Sequence, residues 1–132
     1  MIYRDRPENP LDYYDLFDNN NPYVEFHENG NKRIEINFNG GLLHGSRDCW
    51  YESGQIEEKA NYKDGKLDGL YTSWYESGTK ESESYFINGK KDGVYLGWHE
   101  SGQLKHKAYY KDDLFEKMYE WDEYGKSVVE IF

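Results

Sequence analysis

The sequence predicts an all-β chain: a single elongated, twisted antiparallel sheet, a meander of β-hairpin repeats, with a short N-terminal helix or extended segment. Three observations predict it. A Glu-x-Gly element recurs at Glu28-Asn29-Gly30, Glu52-Ser53-Gly54, Glu76-Ser77-Gly78, Glu100-Ser101-Gly102 and Glu123-Tyr124-Gly125, with glycine spacings of 24, 24, 24 and 23. Four residues before each glycine stands an aromatic (Phe26, Trp50, Trp74, Trp98, Trp121), and this column holds every tryptophan of the chain. A second turn signal falls between these elements, at Gly40-Gly41, Asp64-Gly65, Asn88-Gly89 and Asp112-Asp113. A fixed period of this length marks a repeat architecture. About seven residues remain between turns, which suits strands and is too short for typical helices.

The chain divides at the start of the repeat. Residues 1–23 form a cap segment and residues 24–132 a repeat domain. In the cap, Asn9-Pro10 before Leu11–Phe17 predicts a short helix, with Asn9 as N-cap and Pro10 as its first residue. Asp18 to Pro22 would end it, since these are turn formers and proline cannot continue a helix. Its aromatic side would cover the first hairpin, as terminal units of repeat arrays require.

Each repeat reads as strand, tight turn, strand, glycine-flanked turn, giving about nine or ten strands in all. Asp-Gly and Asn-Gly are strong hairpin signals, because glycine takes φ > 0 without steric cost. Reading Tyr51–Gln55 as a type I turn closed by a glycine bulge pairs Tyr51 with Gln55 and Trp50 with Ile56. A two-residue loop would pair Trp50 with Glu57 instead. The first register collects Leu70, Thr72 and Trp74 with Ile56, Ala60 and Tyr62 on one face. The opposite face then carries Tyr71, Ser73, Tyr75, Glu57, Lys59, Glu81, Glu83, Tyr85, Tyr95 and Tyr109. The small residues Ala60, Ser84 and Ala108 would make room for tryptophan rings. Trp50, Trp74, Trp98, Trp121, Gly54, Gly78 and Gly102 are the structural positions. At the C-terminus, Val128, Val129, Ile131 and Phe132 form a β-prone strand whose apolar edge is a pairing liability, so self-association is possible.

Composition narrows the function classes. Only 36% of residues are hydrophobic and half of that share is aromatic, which suits an extended sheet better than a deep two-layer core. The net charge of −10 argues against nucleic acid or an anionic membrane as ligand, and for a basic partner or simple solubility. Cys49 is alone, so no intramolecular disulfide forms. No apolar run resembles a signal peptide core or a transmembrane span, and the plain expectation is a soluble cytoplasmic protein.

The chemistry-bearing residues point to turns and strands, with no catalytic, cofactor or metal site expected. Glu52, Glu76 and Glu100 recur once per repeat, about 9–10 Å apart, in like environments, whereas a catalytic pair needs unlike ones. His27 and His99 share a column with Tyr51 and Tyr75, as substitutes for an exposed aromatic. His44 and His106 have no cysteine cluster beside them. Nothing near Cys49 suggests thiolate activation. The tyrosine-rich face remains as a candidate binding surface: Tyr71, Tyr75, Tyr85, Tyr95, His99 and Tyr109, with Glu57, Glu81 and Glu83. Tyrosine offers large contact area at low entropic cost, and interspersed glutamate can meet basic groups.

The stretch W-Y-E-S-G-Q-I-x-x-K-A-x-Y-K-D-G-K-x-D-G-x-Y, at Trp50–Tyr71, resembles the MORN-variant repeat typical of bacterial YwqK-type antitoxins. The resemblance covers roughly residues 24–132. It implies an elongated, curved sheet, and that some members are non-catalytic immunity proteins that bind and block a cognate toxin. The net charge of −10 then suggests a basic partner, a nuclease or other toxin domain, whose active site would be occluded. The alternative it implies is a structural scaffold for protein or membrane association. It supplies no catalytic residues.

Overall fold

The computed structural model describes residues 21–132. These form one 12-stranded antiparallel sheet, and ten of the strands follow chain order from edge to edge. The path runs β1 (Tyr23–Phe26), β2 (Lys32–Asn39), β3 (Leu42–Trp50) and β4 (Ile56–Lys63), then past the two-residue β5 (Lys66–Leu67). It continues through β6 (Gly69–Trp74), β7 (Lys80–Ile87), the short β8 (Lys90–Lys91) and β9 (Gly93–Trp98). It ends with β10 (Leu104–Lys111), β11 (Leu114–Trp121) and β12 (Ser127–Ile131). The helix expected at residues 10–17 lies outside the described residues. Among those described there is no helix.

The Glu-x-Gly turn has the geometry its sequence implies. The Gly54 amide donates to the Tyr51 carbonyl, and the Tyr51 amide to the Gln55 carbonyl, both at 2.9 Å. Gly54 has φ +93°, a conformation open to glycine. Trp50 pairs with Ile56 and Cys49 with Glu58, so Glu57 is the extra residue of a bulge. The same one-residue shift follows Trp74 and Trp98, where Glu81 and Lys105 are extra. The second turn is a two-residue turn with both central residues at positive φ: Asp64 and Gly65 at +50° and +83°, Asn88 and Gly89 at +50° and +81°. That is the type I′ geometry that Asp-Gly and Asn-Gly favour.

A further irregularity follows each I′ turn. Tyr62 pairs with Leu67, yet Lys59 pairs with Thr72, a slip of two residues. Gly69 absorbs it at φ +105°. Gly45 and Gly93 occupy the same point at +89° and +96°. Lys117 holds that place in the last unit. There the slip between Tyr109 and Tyr110 is one residue only, which is where the last unit loses its missing residue. Lysine tolerates positive φ poorly, so the glycine-dependent slip shortens when the glycine is gone.

These shifts correct the expected faces. Opposed residues share a face, and residues two apart across a bulge do not. Ile56 therefore sits with Trp50, whereas Glu58 and Ala60 sit with Cys49 and Arg47. Continuing the ladder, Ala60 lies beside Tyr71, Tyr71 opposes Ser84, and Tyr95 opposes Ala108. Ala60 and Tyr62 thus share a face with Tyr71 and Tyr95. Leu70, Thr72 and Trp74 share the other with Lys59, Glu83 and Tyr85. The small residues make room for tyrosine on their own face, and tryptophan lies on the opposite one. Ala60 and Ala108 are 1% exposed, and Ser84 and Thr72 are also buried.

Both margins of the sheet are tied repeat to repeat. At the Glu-x-Gly margin, the Tyr51 hydroxyl donates to the Trp74 carbonyl and the Tyr75 hydroxyl to the Trp98 carbonyl, each at 2.6 Å. His27 Nε2 does the same to Trp50 at 2.7 Å, and His99 Nε2 to Trp121 at 2.9 Å. A carbonyl only accepts, so Nε2 carries the proton in both. At the I′ margin the Gly65, Gly89 and Asp113 amides donate to the Leu43, Leu67 and Lys91 carbonyls at 2.7–2.9 Å. Replacing Tyr75 by phenylalanine removes one such tie with little change in packing. Urea unfolding of Tyr75→Phe should show a loss of about 1 kcal/mol. A loss near zero would mean that water replaces the tie at no cost.

Candidate functional site

The nine residues expected to form one binding surface are spread over three places. Tyr71 and Tyr95 lie on the small-residue face. Tyr85 and Glu83 lie on the tryptophan face, as does Tyr109, which pairs with Val94 and Lys117. Tyr75 and His99 sit at the Glu-x-Gly margin, where their polar tips hold tryptophan carbonyls. Glu57 and Glu81 are the bulge residues of the same margin. The bulge explains the scatter, since simple alternation carried across it assigns the wrong side.

The small-residue face is built around two tyrosine-containing rows. Tyr71 meets Phe86 edge-on with ring centroids 6.3 Å apart. Tyr110 meets Phe115 in the same way at 5.9 Å. Lys91, cross-strand from Phe86, holds its ammonium 5.0 Å from the Tyr110 ring and 5.6 Å from the Tyr95 ring. Arg47 donates to Glu58 at 2.6 Å, and Tyr71 is also hydrogen-bonded to Glu58. Ser73 and Ser82 share a hydrogen bond of 2.6 Å between hydroxyls. Tyr62, Phe86, Tyr110 and Lys91 belong to this surface although sequence reasoning placed none of them in it. Their signal was present in the regular aromatic column Phe38, Tyr62, Phe86 and Tyr110.

Burial leaves its mark on the phenols. It is the first cause that pushes the Tyr71 hydroxyl well above the ordinary value of 10.0, with the Glu58 hydrogen bond next. Burial raises Tyr95 as well. Below pH 10 these groups are protonated folded or unfolded. As pH rises past 10 the unfolded chain releases the proton first, so the fold loses stability there. Tyr71→Phe should therefore lose less stability between neutral and strongly alkaline pH than the parent chain. Equal losses in melting curves across that range would refute the assignment.

The tryptophan face also holds cations against its rings. Lys32 stands over Trp50 at 5.0 Å, Lys80 over Trp98 at 5.5 Å and Lys117 over Tyr109 at 4.7 Å, so its rings are capped by the chain's own cations. Glu52, Glu76 and Glu100 are exposed at the margin. Tyr51, beside them, has its hydroxyl pushed up by burial and by Glu57, Glu81, Glu76 and Glu100, a record of concentrated negative charge. Cys49 is half-buried, and burial pushes its thiol up, away from the reactive thiolate. Among the described residues no group of three or more His, Cys, Asp or Glu side chains is placed to hold a metal ion. No helix among them is long and apolar enough to cross a membrane.

The MORN repeat variant model matches four segments, residues 20–39, 43–64, 67–88 and 91–112, together more than half of the chain. The chain belongs to the MORN repeat variant family. Each MORN segment from the second onward closes on the first positive-φ residue of an I′ turn: Asp64, Asn88 or Asp112. One MORN unit is thus a hairpin around the Glu-x-Gly turn, and the I′ turns are the joints between units. The last hairpin, β11–β12, lies beyond the matched MORN segments. No curated protein matches the chain.

Proposed function

We propose that this MORN repeat protein is a non-catalytic binding module, and that it acts as an immunity protein of the YwqK-type antitoxin kind. It neutralises a cognate toxin by direct binding and occlusion of the toxin's active site. The observation that carries the reading is an open sheet with an aromatic face and a glutamate-lined margin, on a chain of net charge −10. A surface of this kind offers contact area and negative potential. The partner is a basic protein, a nuclease or another toxin domain, met in the cytoplasm. Acidic inhibitors gain association rate against such partners.

Co-expression with the product of the adjacent reading frame tests the proposal. Rescue of growth and a co-purifying complex are expected. Failure to bind or protect against any neighbouring toxin removes the immunity role. A second reading, a structural scaffold for protein or membrane association, draws support from the family match. The charge balance favours a protein over a membrane, so the chain should not co-sediment with anionic liposomes.

A further inference from the structure

We infer that the face carrying Tyr62, Tyr71, Phe86, Tyr95 and Tyr110 is the docking face, and that its occupant is a basic protein surface with an apolar centre ringed by cationic side chains. This rests on the protein-binding reading above and specifies both the face and the partner chemistry.

Charge separates the two faces. On the tryptophan face the central cross-sheet row reads Val24, Glu35, Asp48, Lys59, Thr72, Glu83, Leu96, Lys107, Tyr119, Glu130, with charge on six of its ten strands. The matching row of the other face reads Ile36, Arg47, Ala60, Tyr71, Ser84, Tyr95, Ala108, Met118. The one charge of this row, Arg47, is paired with Glu58, and the same face carries Lys91 and Glu120 outside the row. Both faces carry aromatic rings, but interface centres are depleted in charge, and the central row of this second face is the less charged of the two.

Area agrees. Ten strands at about 4.8 Å span about 43 Å, and six or seven residues of each strand cover about 20 Å, on the order of 850 Å². One side of a standard protein–protein interface is about 800 Å².

Charge complementarity selects the occupant. A second copy would bring its own net charge of −10 against this one. The margin beside the face carries Glu28, Glu52, Glu76, Glu100 and Glu123, one per repeat at about 9.6 Å intervals. A basic partner meets this acidic rim and steers onto the neutral aromatic centre. Lys91 already shows that the tyrosines of this face accept a cation on their rings.

The test places a glutamate on each face and uses a synthetic peptide alternating arginine and tryptophan as the probe, in about 0.15 M salt. Phe115 and Tyr85 are similarly exposed, at 45% and 49%, and lie on opposite faces. Either substitution adds negative charge, so simple charge attraction would tighten binding in both. Docking on the aromatic face predicts that Phe115→Glu weakens binding about tenfold and Tyr85→Glu does not weaken it. Phe86→Glu should weaken it further, with a melting curve to confirm the fold, and Phe115→Glu decides the matter if Phe86→Glu does not fold. Weakening by Tyr85→Glu, or unchanged or tighter binding by Phe115→Glu, overturns the face assignment and leaves the protein-binding reading standing. No binding of the peptide by the unaltered chain overturns the basic-partner reading itself.

Discussion

Ala60→Leu is expected to destabilise the sheet by about 2 kcal/mol, and Ala108→Leu by a similar amount. Both alanines are 1% exposed and sit in a row where every neighbour is long: Arg47 and Tyr71 flank Ala60, while Tyr95 and Met118 flank Ala108. The larger side chains flank the small one on both sides, so added bulk meets them directly. A leucine lifts both neighbours off the backbone. The two sites are separated by two repeats and share no partner, so the double variant should lose about 4 kcal/mol, the sum of the single losses. Denaturant unfolding measures this. A double variant as stable as either single one would show that the row acts as one cooperative unit.

The second large effect belongs to the Glu-x-Gly turn. Gly78 holds φ +95° and its amide donates to the Tyr75 carbonyl at 2.9 Å. A Cβ there would meet only the end of Gln55, at 3.6 Å, so space is not the obstacle. The backbone conformation is. Gly78→Val should cost about 2 kcal/mol from the left-handed strain of a β-branched residue. Gly78→Asn should cost markedly less, because asparagine tolerates positive φ. Similar thermal shifts for the two variants would place the cost in lost space rather than in strain.

Much of this architecture was legible in the sequence because its turns are chemical statements. Tyr-Glu-Ser-Gly-Gln names a type I turn with a glycine bulge, and Trp50 does oppose Ile56. Asp-Gly and Asn-Gly name I′ turns, and both central residues do take positive φ. What was not legible was which side each later residue occupies. Each repeat contains a one-residue bulge, three joints add a two-residue slip and the last a one-residue slip, and side-chain parity depends on where these fall. Ala60 was placed with Trp74 because alternation was carried from Ile56 straight through the bulge at Glu57. The roles of Tyr75 and His99 were hidden for a different reason. Their partner is a backbone carbonyl one repeat away, and a carbonyl has no letter in the sequence. A trace remained, since the column reads His27, Tyr51, Tyr75, His99, rings with a polar tip, until Asp122 in the last unit, which has no following repeat to tie among the described residues.

The cross-repeat tie bears on how such a chain can change its length. Each of the three interior units supplies one donor, at the Tyr or His position, and one acceptor, at the Trp carbonyl. A duplicated unit inserted in frame therefore arrives with both halves of the bond, and a deleted unit removes both. Neither event strands a buried donor or acceptor. Growth and shrinkage by whole hairpins are structurally neutral steps, and the reach of the aromatic face becomes a quantity that unequal recombination can adjust in increments of about 10 Å.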